Sequence, residues 1–175
     1  MKKIIAFGGS TSSKSINKEF AAHVSGLVND SEVNIIDFNN YPAPVYSTDE
    51  EANGFPESLV SLSEKMKDAD GYVVSLAEHN GSYAAAFKSI LDWLSRINRE
   101  VFNNKPVLLM ATSPGGRGGA SVLANASAYF PHAGASDVIS FSLPKYFDNF
   151  KEGKIVDEDL NKSLQEKVLE FETKL

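Results

Sequence analysis

The chain has 175 residues, 42% hydrophobic and 23% charged, with no cysteine. That fits one globular domain with a single good core, and it excludes a mainly disordered chain, a disulfide framework, a thiol nucleophile and a cysteine-based metal centre. The net charge of -6 speaks against a nucleic-acid surface, which needs clustered lysine and arginine, and in favour of a small-molecule ligand.

The first predicted strand, Lys3 to Phe7, is too short an apolar stretch to be a signal-peptide core. No later run approaches a membrane span, so a cytoplasmic chain without membrane attachment is expected. This strand runs straight into Gly8-Gly9-Ser10-Thr11-Ser12-Ser13-Lys14-Ser15, and then into a helix whose apolar positions Ile16, Phe20, Val24 and Leu27 share one face. A glycine turn that feeds a helix start exposes consecutive backbone N–H groups to an anion. Five hydroxyls and the Lys14 ammonium can add donors, so the loop reads as a phosphate cradle. An ordinary N-cap at Ser13 or Ser15 would need one hydroxyl where this loop offers five. The loop also differs at one position, Ser13, from the nucleotide-binding G-x-x-x-x-G-K-[ST] pattern, where a second glycine takes a conformation that other residues resist. A phosphotransferase of that kind stays open at this point, with Asp37 or Glu78 as loose candidates for magnesium.

A second strand, Val33 to Phe38, precedes a polar stretch from Asn39 to Pro56 with three prolines, a lid or a connection, and then a helix faced by Leu59, Leu62, Met66 and Ala69. The third strand, Tyr72 to Leu76, ends in Ala77-Glu78-His79-Asn80-Gly81-Ser82-Tyr83, where Asn80 or Ser82 could cap the helix that follows. His79 has no second histidine or carboxylate at metal-ligand spacing, so no metal site is expected. In that helix Phe87, Ile90, Leu91 and Leu94 form the apolar face, and Trp93 falls off it, which favours an interface position for Trp93. The fourth strand, Val107 to Ala111, leads into Thr112-Ser113-Pro114-Gly115-Gly116-Arg117-Gly118-Gly119, with four glycines in five positions; such a loop lets backbone approach a flat ligand closely. Leu123, Ala126 and Phe130 mark the next helix, Val138 to Phe141 the fifth strand, and Leu160, Leu164, Val168 and Phe171 the last helix.

Strands that read as solid apolar runs are buried on both sides, so the pattern predicts a doubly wound α/β sandwich of three layers: a five-stranded parallel sheet with helices on each face. Ligands of such sheets bind beyond the carboxyl ends of the strands, which singles out the loops after strands one, three and four. No G-x-S-x-G elbow is present, and Glu78 lacks a carboxylate partner for glycosidase chemistry. The chain reads as a binder of a phosphorylated planar cofactor that would bring its own chemistry.

Taken together, the three loops resemble the NADPH-dependent FMN reductase family, a flavodoxin-like group that includes quinone, azo-dye and chromate reductases. Gly9, Ser10, Ser15 and Asn17 fall on the fixed positions of that family's first loop, G-S-x-R-x-x-S-x-N. Glu78, Asn80, Gly81 and Ser82, followed by Lys88, Asp92 and Trp93, match its P-E-Y-N-G-S motif with the later K-x-x-x-D-W. Ser113, Gly115, Gly118 and Gly119 match S-x-G-x-x-G-G. The resemblance covers nearly the whole chain and implies strand order 2-1-3-4-5. It places the FMN phosphate at Ser10, Ser12, Lys14, Ser15, Ile16 and Asn17, and the flavin ring between Glu78, His79, Asn80 and Gly81 on one side and Ser113, Gly115, Gly116, Arg117 and Gly118 on the other. It further implies NADPH or NADH as reductant, hydride transfer to flavin N5, a ping-pong cycle onto a small-molecule electron acceptor such as quinone or free flavin, and a homodimer or dimer of dimers involving the Trp93 helix. No protein proton-transfer residue is nominated. A non-enzymatic flavodoxin-like electron carrier is the alternative. Two departures stand out: Ser12 replaces the family arginine at the phosphate, which leaves Lys14 to compensate without a guanidinium fork, and Ala77-Glu78-His79 replaces Pro-Glu-Tyr.

Overall fold

The computed structural model describes residues 1–175. In chain order it contains β1 (Lys2–Gly9), α1 (Ile16–Ser25), β2 (Ser31–Ile36), a 3-10 turn (Phe38–Asn40), α2 (Thr48–Ala52), α3 (Glu57–Lys67), β3 (Gly71–Leu76) and the short strands β4 (Glu78–His79) and β5 (Ser82–Tyr83). There follow α4 (Ala85–Ile97), β6 (Lys105–Thr112), α5 (Ala120–Tyr129), a second 3-10 turn (Phe130–Ala133), β7 (Ala135–Leu143), α6 (Tyr146–Asn149), β8 (Phe150–Lys151), β9 (Lys154–Ile155) and α7 (Glu158–Glu172).

The five long strands form one parallel sheet in the order β2-β1-β3-β6-β7, the flavodoxin-like 2-1-3-4-5 arrangement that the family resemblance implies. Side chains alternate between its two faces, as the pleat requires. Ile5, Phe7, Val74 and Leu109 face α3, α4 and α5 in one core, and Ile4, Ala6, Val73 and Leu108 face α1 and α7 in the other. No helix is long and apolar enough to cross a membrane.

The expectation that all five strands are buried on both sides holds for β1, β3 and β6 and fails for the outer two. Ile35 of β2 is 48% exposed, because an edge strand has a neighbour on one side only and the helices do not reach fully over it. Two small hairpins, β4–β5 and β8–β9, carry no periodicity long enough to be read from sequence.

Trp93 also departs from expectation. It is fully buried within its own domain: its indole N–H donates to the Pro44 carbonyl at 2.9 Å, and its ring meets Tyr46 edge-on at 5.2 Å. The stretch from Asn39 to Pro56 lies across α4 as a strap. Ser89 Oγ accepts from the Tyr46 N–H at 3.0 Å, Trp93 reaches Pro44, and Arg96 pairs with Glu51 at 3.0 Å. Ser89, Trp93 and Arg96 share a helix face by their spacing, so α4 has a second covered face, and Trp93 belongs to that one.

The register also brings the three suspect loops together. Gly9 pairs with Leu76, and Leu76 with Ala111, so β1, β3 and β6 end side by side and their loops emerge at one edge.

Candidate functional site: three loops around one cleft

The loop after β1 packs tightly against α1. A Cβ at Gly8 would lie 2.3 Å from the Lys18 nitrogen, so only glycine lets the strand end approach the helix this closely. Ser15 is the N-cap: its Oγ accepts from the Lys18 N–H at 3.1 Å. Buried Ser10 accepts from the Ser12 N–H at 3.1 Å, which bends the loop back on itself. The N–H groups of Thr11, Ser13, Lys14, Ile16 and Asn17 find no acceptor within the chain. With the helix dipole behind them, these donors make the cradle anticipated for a phosphate.

Lys14 is exposed and makes no ion pair. The neighbouring Lys18 is engaged instead by Asp37 at 2.6 Å, and that ammonium holds the Asp37 carboxyl below its ordinary range, helped by the Asn39 N–H. Asp37 therefore caps the 3-10 turn and pairs with Lys18, and the other candidate for magnesium, Glu78, bonds the start of α5. Asn17 is also occupied. Its side chain bonds Ser75 and Thr112 in the interior, so what it presents to the cleft is its backbone N–H.

The loop after β3 is a hairpin, and neither Asn80 nor Ser82 caps α4, whose N-cap is Ala84 without a side-chain bond. Asn80 and Gly81 have φ of 52° and 76°, the pair of positive angles a type I′ turn demands, and Asn-Gly is the dipeptide that tolerates them best. The Glu78 carboxylate reaches across to the N-terminus of α5, where it accepts from the N–H groups of Ser121 at 2.8 Å and Val122 at 3.0 Å. An acid at a helix start satisfies orphan donors and meets the positive end of the dipole. His79 is exposed beside it.

In the glycine loop after β6, the four glycines divide into two kinds. Gly118 and Gly119 are buried at φ of 56° and 75°, and a Cβ would meet Ser142 Oγ at 2.4 Å or Ala111 Cβ at 2.8 Å. They are structural. Gly115 and Gly116 are exposed, and a Cβ there would find nothing nearer than 4.0 Å and 3.9 Å respectively. The loop is fixed rather than slack: the Gly115 carbonyl accepts from Lys145 at 2.9 Å, the Ser113 carbonyl from Tyr146 at 3.0 Å, and Arg117 donates to Ser121 Oγ at 2.8 Å. The N–H groups of Gly115, Gly116 and Arg117 have no acceptor within the chain.

The three loops enclose a cleft of about 170 Å³. Ser10, Ser12, Lys14, Ser15, Ile16 and Asn17 line it from the first loop, Ala77, Glu78 and His79 from the second, and Thr112, Ser113 and Pro114 from the third. Of the anticipated residues, Asn80, Gly81, Gly115, Gly116, Arg117 and Gly118 are not among the lining residues and belong to the continuations of the second and third loops. Sequence reasoning passed over Ser75, which anchors Asn17; its signal was a hydroxyl inside the otherwise apolar run Tyr72 to Leu76. The reach of Glu78 to α5, 43 residues away, left no trace in the sequence.

Comparison with known proteins bears on the family and the fold. Residues 2–149 match the model of the NADPH-dependent FMN reductase family. The chain is 31% identical to 2-hydroxy-1,4-benzoquinone reductase of Burkholderia sp over 93% of its length and 90% of that protein's. It is 38% identical to quinone reductase of Escherichia coli strain K12, although that match spans 44% of this chain and less than half, 42%, of the relative. Among solved structures, the flavoenzyme NAD(P)H:(acceptor) oxidoreductase FerB from Paracoccus denitrificans superposes with a TM-score of 0.79 at 25% identity, covering 99% of this chain and 97% of that one.

Proposed function

Because the chain belongs to the NADPH-dependent FMN reductase family, we propose that it is a cytoplasmic NAD(P)H-dependent FMN oxidoreductase acting on quinone, free flavin or another small acceptor. The observation that carries this reading is the meeting of the three loops in one cleft, with one set of unpaired N–H donors on the first loop and a second set at Gly115, Gly116 and Arg117, where the third loop continues beyond the cleft lining. FMN held between these loops would supply the chemistry, hydride acceptance at N5 from NADPH or NADH and onward electron transfer to the acceptor in a ping-pong cycle.

The protein contributes binding and orientation. The N–H groups of Thr11, Ser13, Lys14, Ile16 and Asn17, the hydroxyls of Ser10, Ser12 and Ser15, and the Lys14 ammonium hold the phosphate. With serine at position 12, no guanidinium reaches it, and the reading includes a more exchangeable flavin than an arginine-bearing loop would hold. The turns at Asn80-Gly81 and Gly115-Gly116 flank the ring, and the donors of Gly115, Gly116 and Arg117 offer preorganised hydrogen bonds to negative charge at its edge. The cleft itself is smaller than the roughly 300–1,000 Å³ of pockets that enclose a whole ligand. That favours an arrangement in which the phosphate end is enclosed and a second copy of the chain covers the ring, in a homodimer or dimer of dimers.

The test is a visible spectrum of purified protein, reconstituted with FMN where needed, before and after anaerobic NADPH. The expected result is a flavin spectrum that bleaches on addition of the nicotinamide. Protein that takes up no flavin would overturn the reading, and flavin that stays oxidised until a protein partner is added would make the chain a carrier.

A further inference from the structure

Asn17 stands two residues past the N-cap of α1, at the base of the phosphate cradle, yet it is 2% exposed. Its side-chain amide pairs with a single residue of the sheet through both of its ends. Nδ2 donates to the Thr112 carbonyl at 3.1 Å, and Oδ1 accepts from the Thr112 N–H at 3.1 Å. Thr112 is where this is needed: the β3–β6 ladder ends at Leu76–Ala111, so the backbone of the next residue has lost its neighbouring strand on that side. The Asn17 amide takes the strand's place, and a short side chain carrying both a donor and an acceptor is required to do so. Ser75, fully buried at the end of β3, donates to the same Oδ1 at 2.7 Å, which fixes the amide in that orientation. Thr112 in turn donates through Oγ1 to the Leu143 carbonyl at 2.7 Å, carrying the chain of bonds to β7.

We infer that the Asn17 side chain positions the site and is not itself a phosphate ligand: with Ser75 and Thr112 it forms a buried latch that holds the phosphate cradle and the glycine loop at one fixed separation. A ligand gripped at one end by the first loop and at the other by the third requires that separation to be set before binding. The side-chain bonds that join the first loop directly to the third both run through this amide. A leucine at position 17 would leave both Thr112 backbone groups buried and unpaired, and an aspartate would lose the donor and set a carboxylate against the Thr112 carbonyl, so the site selects asparagine for its two-sided hydrogen bonding.

The inference rests on the flavin reading for its ligand, and the experiment separates the two. Asn17→Asp and the milder Ser75→Ala are compared with the unaltered protein by titration with FMN and with riboflavin, which lacks the phosphate. Amide exchange is measured on the flavin-free proteins. Ser75 is out of reach of any ligand in the cleft, yet Ser75→Ala is expected to weaken FMN and riboflavin alike, about five- to tenfold, the factor that follows from losing one buried hydrogen bond. In both variants, exchange should accelerate together at the bonded amides of the two loops, Ser12, Ser15 and Lys18 in the first and Thr112 and Gly118 in the third. The inference is overturned if Asn17→Asp weakens FMN alone while Ser75→Ala changes nothing, the pattern of a direct phosphate contact, or if exchange at the two loops is unaltered. Should the unaltered protein bind neither flavin, the functional reading fails, and the exchange measurement still decides the latch.

Discussion

The two kinds of glycine in the loop after β6 allow folding and flavin binding to be perturbed separately. Gly118→Ala asks an L-residue to adopt φ of 56° and sets its Cβ 2.4 Å from Ser142 Oγ, 2.9 Å from the Pro144 nitrogen and 3.0 Å from the Leu143 carbonyl carbon. The serine can swing away, but the two backbone atoms cannot. The left-handed conformation costs about 1–2 kcal/mol and the overlap about as much again, a total of roughly 2–4 kcal/mol. For a domain of this size that is a fall in Tm of roughly 5–15 °C. Gly115→Ala meets nothing within 4.0 Å, so its stability should stay within about 0.5 kcal/mol of the unaltered protein. The larger Gly115→Leu should keep the fold and raise the FMN Kd at least ~10-fold, because the proposed arrangement brings the ring against this position. Calorimetry of the flavin-free variants and fluorescence titration with FMN check both halves. A Gly118→Ala protein as stable as its parent, or a Gly115→Leu protein with unchanged FMN affinity, would refute the division of the loop into structural and ligand-facing glycines.

Lys14→Ala should weaken FMN by about tenfold, the size of one charged hydrogen bond, while leaving riboflavin affinity unchanged; an unchanged FMN Kd in isothermal titration would show that the helix terminus alone suffices. Glu78→Ala leaves the Ser121 and Val122 N–H groups without their acceptor and should destabilise the flavin-free protein by about 1–2 kcal/mol in urea melts, with Glu78→Gln recovering most of the loss. Burial pushes the Tyr72 hydroxyl from 10.0 up to about 12, so the unfolded chain ionises first: the corresponding stability is whole below pH 10 and is lost as pH rises toward 12. Tyr72→Phe, which removes the 2.8 Å bond to the Met66 carbonyl, should cost about 1 kcal/mol at neutral pH. It should also flatten the alkaline decline in stability without abolishing it, since Tyr83 is likewise pushed up to about 12 by burial.

Much of this protein is legible in its sequence, because the strongest signals are local. Solid apolar runs at β1, β3 and β6 imply a sheet covered on both faces, and that architecture places ligands at the carboxyl ends of the strands. The hydroxyl-rich turn before Ile16 already signals the cluster of free donors, since unpaired N–H groups at a helix start follow from backbone geometry alone. Tertiary structure decided what depends on residues far apart in the chain. Trp93 lies off the Phe87–Leu94 face and reads as an interface residue until the strap from Asn39 to Pro56 is seen lying on it. Nothing in the sequence signals that the Glu78 carboxylate bonds the start of α5, and Gly115 and Gly118 are indistinguishable until the packing around each is known. Asn17 shows the division most clearly: its position in the loop motif marks it as important, but whether it holds the ligand or the site is set by the end of the β3–β6 ladder, 95 residues away at Thr112. A backbone donor and acceptor stranded there by the pleated sheet needed an amide, and only the folded chain brings the two together.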